Sequence, residues 1–153
     1  MVGALVVTHG SVAAELVNAV HRIIGDNKSI QAVCISWDED VSIARRKIEE
    51  GIARVDSGSG VLIMTDMFGG TASNLSLTLL EPGRVEVVTG VNLSMLLKLG
   101  SAAAERMTLK DLADVVCARG RESIQIPSRT LRARAPSGGS GSAPGKSESD
   151  DTR

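Results

Sequence analysis

A chain of 153 residues, 42% of them hydrophobic, suits one domain of ordinary size, and with Trp37 and Phe68 as its two aromatics the core must be aliphatic. A net charge of −1 gives no field toward nucleic acid or an anionic membrane, and two aromatics make no stacking platform for single strands. No run approaches the roughly 20 apolar residues of a membrane span, no signal peptide precedes the first strand, and His9, His21, Cys34 and Cys117 are not spaced as a zinc site; the expectation is a soluble, cytoplasmic protein needing neither metal nor cofactor.

The elements follow in strand–helix alternation. Val2 to Val7 is a valine-rich run that predicts a strand, ending abruptly in Thr8-His9-Gly10-Ser11. Ala13, Leu16, Val17, Val20, Ile23 and Ile24 fall at helical spacing, with His21 at the margin of that face and Gly25 as the stop. "SIQAVCIS" predicts a second strand, with Cys34 as a small core residue. "DEDVSIARRKIEEGIARVD" sets Val41, Ala44, Ile48, Ile52 and Val55 on one helical face behind Asp38 or Asp40 as cap. "GVLIMTD" is a third strand and "GTASNLSLTLL" a third helix. "GRVEVVTG" alternates, which predicts a more exposed fourth strand. "NLSMLLKLGSAA", capped by Asn92, and "TLKDLADVVCARG", with Thr108 and Asp111 as a capping box, predict two more helices. "ESIQIP" predicts a last short strand. The pattern implies an α/β fold: an open, doubly wound, mostly parallel sheet with helices on both faces.

Residues 1–127 read as the domain and 128–153 as a basic junction (Arg129, Arg132, Arg134) followed by a Gly/Ser-rich tail, disordered by composition over 135–153. "SAPGKS" in that tail ends like a phosphate-binding P-loop. Ser140 stands where the first glycine belongs and no strand precedes it, so that reading is rejected.

In an open parallel sheet, ligands bind beyond the carboxyl ends of the strands, where strand order reverses. His9 ends the first strand and Asp66 occupies the equivalent place after the third. If those strands are neighbours, both side chains emerge into one crevice. Singly, His9 reads as a structural hydrogen-bonder, Asp66 and Thr71 as caps and Gly69-Gly70 as a turn; together they make a site. A carboxylate that accepts from Nδ1–H fixes the tautomer and leaves Nε2 bare as a nucleophile. The helix N-terminus at Gly10 and Ser11 favours an anion such as phosphate. Gly69 and Gly70 allow close backbone approach, and Thr71 can donate to a phosphate oxygen.

"VVTHGSVAAELVNAVHRIIG", "GVLIMTDMFGGTASNLSLTLL" and "VEVVTGVNLSMLLKL" together resemble the enzyme IIA component of the mannose family of the bacterial phosphoenolpyruvate-dependent sugar phosphotransferase system, from about Val2 to Ile126. The resemblance implies an α/β domain, a homodimer in which a C-terminal edge strand is exchanged, and a phosphocarrier function. The phosphocarrier protein HPr would phosphorylate His9, with Asp66 orienting the ring and Thr71 on the phosphate. His9 would then pass the phosphoryl group to an enzyme IIB component, the chain being peripheral to a membrane permease at most. Met67 and Phe68 are the candidate partner contacts. Ala72 and Ser94 stand where the family often has proline, which loosens two loops without removing a reacting group. No IIB domain accompanies the IIA-like stretch, so the acceptor is expected on another protein or is missing altogether.

Two alternatives remain at this stage. A regulatory phosphoprotein of an incomplete phosphotransferase system would signal to target proteins without sugar transport. A tetrapyrrole metal chelatase would also carry His-Gly-Ser after a first strand, but it would want further metal ligands, and His21 lies inside a helix.

Overall fold

The computed structural model of the chain describes residues 1–101 and 106–129. Among the described residues nine elements follow in the expected order: β1 (Gly3–His9), α1 (Val12–Ile24), β2 (Ile30–Ile35), α2 (Val41–Val55), β3 (Val61–Thr65), α3 (Thr71–Leu77), β4 (Val85–Thr89), α4 (Leu93–Leu99) and α5 (Leu109–Glu122). The strands form one parallel sheet in the order β2-β1-β3-β4. The fold is therefore the doubly wound α/β sandwich that the alternation implies.

Side-chain direction alternates along each strand and sorts the core into two layers. Ala4, Val6, Leu62 and Met64 point to one face and pack with α1, α4 and α5. Leu5, Val7, Val61 and Ile63 point to the other and pack with α2 and α3. The central strands β1 and β3 are covered on both faces, which is why their sequences read as unbroken apolar runs. Each fully buried aliphatic such as Leu5 or Leu62 contributes about 1.5–3 kcal/mol. Helix α2 lies so close on β1 that a Cβ at Gly51 would come within 2.9 Å of both Leu5 methyls. This packing holds the strand that ends in His9.

The helix ends follow local chemistry. Asp40 accepts the Ser42 N–H at 2.8 Å, and Asn92 accepts that of Met95 at 3.1 Å. Thr108 accepts the Asp111 N–H at 3.2 Å, the first half of the expected capping box, but the Asp111 carboxylate accepts the Thr108 hydroxyl at 2.7 Å in place of the Thr108 N–H. Gly25, at φ +85°, ends α1 where a side chain would be strained.

Three expectations are corrected. The segment "ESIQIP" is not a strand: α5 runs on through Glu122, and Ile124 and Ile126 are 78% and 50% exposed with no ladder partner. Among the described residues the sheet therefore has four strands, and no further strand covers the outer edge of β4, where Val85 bridges to Glu81. Cys34 is half-buried, because β2 is an edge strand with more solvent access than a central one. Val41 is exposed, and Gly51 takes a place on the buried face of α2. Arg132, Arg134, the 135–153 tail and "SAPGKS" lie outside the described residues.

Candidate functional site

The chain passes from β1 through α1 to β2 on one side of β1, then through α2 to β3 on the other side. That reversal opens a crevice at the carboxyl edge between β1 and β3. Val7 pairs with Thr65 in register, so His9 and Asp66 leave adjacent strands side by side. His9 Nδ1 lies 2.8 Å from Asp66 Oδ2. The backbone N–H of His9 donates to the same oxygen at 3.1 Å, and Asp66 Oδ1 accepts the Met67 N–H at 2.9 Å.

Both side chains are mostly covered, at 14% and 23% exposure. Burial alone pushes the Asp66 carboxyl up. The His9 side chain, the His9 and Met67 backbone N–H groups and the charge of His9 together outweigh it and hold the carboxyl below its ordinary value. An ionised carboxylate only accepts hydrogen bonds, so Nδ1 carries a proton; in the neutral form of the ring Nε2 then has the free lone pair. Among the described residues Nε2 has no hydrogen-bond partner.

The neighbours of the ring are set by local sequence. Thr8 is fully buried, and its hydroxyl accepts the Ala13 N–H at 2.7 Å. It thereby does the capping that the exposed Ser11 side chain, at the N-cap position, does not. Gly10 turns the chain at φ +54° and donates its N–H to the Ile35 carbonyl at 2.9 Å. Gly69 sits at φ +86°. Gly70 caps α3 through its backbone, and Thr71 is the exposed first residue of that helix rather than its cap. A Cβ at position 70 would lie 2.9 Å from His9 Cε1 and 3.6 Å from Nε2. Met67 and Phe68 stand at the rim, 58% and 73% exposed.

The structure thus brings His9, Asp66, Gly10 and Gly70 together, with Ser11 and Thr71 at the starts of α1 and α3. His21 is elsewhere, its Nε2–H donating to the Asn27 carbonyl at 3.2 Å. Asn92 is committed to capping α4 and to the Gly120 carbonyl. The groove between α4 and α5, lined by Ser94, Lys98 and Arg119, does not include His9. Among the described residues no three His, Cys, Asp or Glu side chains gather as metal ligands, and no helix is long and apolar enough to cross a membrane.

One residue escaped the sequence reading. The Trp37 indole stacks on the His9 imidazole, with ring centroids 5.2 Å apart and planes inclined by 17°. The signal was available: His9 pairs with Ile35, and Trp37, one of two aromatics in the chain, follows two residues later.

Fold and site together define a class: a doubly wound α/β domain that presents a carboxylate-held histidine at its switch point. The model of the EIIA-man family, described as PTS system fructose IIA component, matches residues 3–117. The chain is 28% identical over 132 residues to the PTS system fructose-specific EIIA component of Bacillus subtilis, covering 86% of this chain and 90% of that protein. It is 25% identical over 119 residues to the PTS system mannose-specific EIIAB component of Escherichia coli K12, covering 77% of this chain but 37% of that longer protein. Its fold matches the crystal structure of phosphotransferase system component EIIA from Streptococcus agalactiae with a TM-score of 0.75 at 23% identity, covering 84% of this chain and 99% of that one. The chain belongs to the EIIA-man family of phosphotransferase-system IIA components.

Proposed function

We propose that this protein is a phosphocarrier in which His9 accepts a phosphoryl group from phospho-HPr and passes it to an enzyme IIB component. The observation that carries the reading is the 2.8 Å contact of Nδ1 with Asp66, which leaves Nε2 unpartnered beside Gly70. The Nε2 lone pair attacks phosphorus in line, and the donor N–P bond breaks with its electron pair staying on the donor nitrogen. Asp66 orients the ring and stabilises the positive charge that develops on it; the proton stays on Nδ1. The N–P bond is itself the energy source, so the step needs neither nucleotide nor metal. Catalysis is then positioning plus charge stabilisation, with the backbone N–H groups of Ser11, Gly69 and Gly70 and the Thr71 hydroxyl as donors to the phosphoryl oxygens; the Gly10 N–H, held by the Ile35 carbonyl, is not among them, and Gly10 serves by turning the chain.

Residues 1–127 form the carrier domain in this reading, and it works in the cytoplasm, docking transiently on each partner. The exposed rim of Met67 and Phe68 supports a modest apolar contact of that kind. The edge of β4 beyond Val85, which no strand covers among the described residues, and the exposed Ile124 and Ile126 support a homodimer in which that segment pairs with a second copy.

Incubation with phosphoenolpyruvate, enzyme I and HPr tests the carrier role. An acid-labile phosphoryl group should appear on the wild type and not on His9→Ala. No label on the wild type, or undiminished label on the variant, ends the proposal.

A further inference from the structure

Trp37 is 78% exposed, yet its loop is tied down. The Ser36 carbonyl accepts the Glu39 N–H at 3.2 Å, Glu39 pairs with Lys47, and Asp40 caps α2. The loop leaves β2 at Ile35, whose carbonyl receives the Gly10 N–H. Both partners of the His9–Trp37 stack are therefore anchored to the same strand ends. An indole held in this way on an imidazole is a poor use of apolar surface unless the ring needs it.

Phosphorylation at Nε2, with the proton kept on Nδ1, gives the ring cationic character that the free neutral imidazole lacks. A cation over an indole face is attracted by the ring quadrupole. Asp66 meets that charge from the edge of the imidazole and Trp37 meets it from the face. The indole also covers that face against water and limits rotation of the ring away from Asp66.

Resting on the phosphocarrier reading, we infer that Trp37 is a positioning residue for His9 that favours the phosphorylated over the free ring. A contact that only docked a partner would speed transfer equally in both directions and leave the equilibrium unmoved. A residue that stabilises the phosphorylated imidazole must move the equilibrium.

The test compares the full-length wild type, Trp37→Phe and Trp37→Ala, mixed with phospho-HPr until the phosphoryl distribution is constant. Urea unfolding confirms that all three fold alike, as the exposure of Trp37 leads one to expect. Trp37→Ala should shift the equilibrium constant about 2–5-fold toward HPr, the range for an exposed cation–aromatic contact, and Trp37→Phe should recover most of it. Because Trp37 is the chain's one tryptophan, its emission should change when the wild type is phosphorylated, and stay constant when His9→Ala receives the same treatment. Equal equilibrium constants, with only KM for HPr raised in Trp37→Ala, overturn the inference. If HPr fails to label the wild type, the carrier reading falls by itself. Phosphoramidate, which phosphorylates imidazole with loss of ammonia, then loads His9 without a partner. A phosphohistidine lifetime 2–5-fold shorter in Trp37→Ala, about the same cation–aromatic range, supports the stack; an equal lifetime overturns it.

Discussion

Gly70 lies against the edge of the His9 ring so closely that a Cβ at position 70 would stand 2.9 Å from Cε1. Its φ of −79° is one that any residue adopts, so the glycine is required by contact rather than by backbone conformation. Gly70→Ala should therefore push the imidazole off its Asp66 alignment without straining the chain. Displacement of a reacting group by about 1 Å can cost 10²-fold in rate. We expect Gly70→Ala to lower kcat/KM for phosphoryl transfer by about that factor, with a urea midpoint close to the wild type. Transfer kinetics within a factor of about two of wild type would mean the ring accommodates the methyl group, and the packing argument would fail.

Asp66 holds His9 by two donors to one oxygen, from Nδ1 and from the backbone N–H. Asp66→Asn keeps an acceptor but loses the negative charge that supports the ring when Nε2 attacks. Transfer should slow by about 10²-fold or more, the scale of a lost charge-stabilising group, while the fold survives. The same carboxylate carries a pH signature. Its folded pKa is depressed, so its stabilising contribution is complete above the unfolded carboxylate value near 3.9 and is lost as pH falls through the lower folded value. Thermal unfolding from pH 6 down to pH 2 should show a steeper loss of stability below about pH 4 for wild type than for Asp66→Asn. Parallel curves would show that the pair contributes nothing to folding.

Why some of this was legible and some was not is a matter of range. The ends of two parallel strands must emerge on the same sheet edge, so Thr8-His9 and Thr65-Asp66 were enough to bring the pair together once β1 and β3 were taken as neighbours. The caps at Asp40, Asn92 and Thr108 are also local, and each formed where the sequence put it. The Trp37 stack depends on the path of a five-residue loop, which no periodicity encodes. The segment around Ile124 has strand-like composition, but a strand exists only against a partner edge, and among the described residues no strand pairs with Ile124 or Ile126. Gly70 was readable as a turn residue; the ring that excludes its side chain is 61 positions away in sequence.

Thr8 links the site to the stability of the helix behind it. Its buried hydroxyl accepts the Ala13 N–H at 2.7 Å, since Ser11 makes no side-chain cap. Thr8→Val keeps the shape and removes the acceptor. The buried N–H loses its partner at a cost of about 1–2 kcal/mol, read as a lower urea midpoint. Thr8→Ser should restore most of that loss. An unchanged midpoint in Thr8→Val would show that water replaces the hydroxyl and that the cap is dispensable.

The exposed isoleucines past α5 bear on assembly. Ile124→Asp puts a charge on the segment proposed to pair with a second copy, and sedimentation should show wild-type dimer giving way to monomer. His9 is built from β1 and β3 of one chain, so phosphoryl transfer by the monomer should persist. A wild type that sediments as monomer at all concentrations would remove the homodimer.

Met67 and Phe68 follow Asp66 directly, yet neither side chain is buried. Exposed large apolar groups beside His9 fit the proposal of a surface that is covered only during transfer. Met67→Ala with Phe68→Ala deletes that surface and leaves the hydrogen bond from the Met67 backbone N–H to the Asp66 carboxylate in place, because Met67 contributes only its backbone to it. The double variant should raise KM for HPr about tenfold, a loss of about 1.4 kcal/mol of binding, with kcat little changed, since the interaction lost is the same before and during the chemical step. A fall in kcat at unchanged KM would instead place these side chains in the alignment of His9 and Asp66 and remove them from the docking surface.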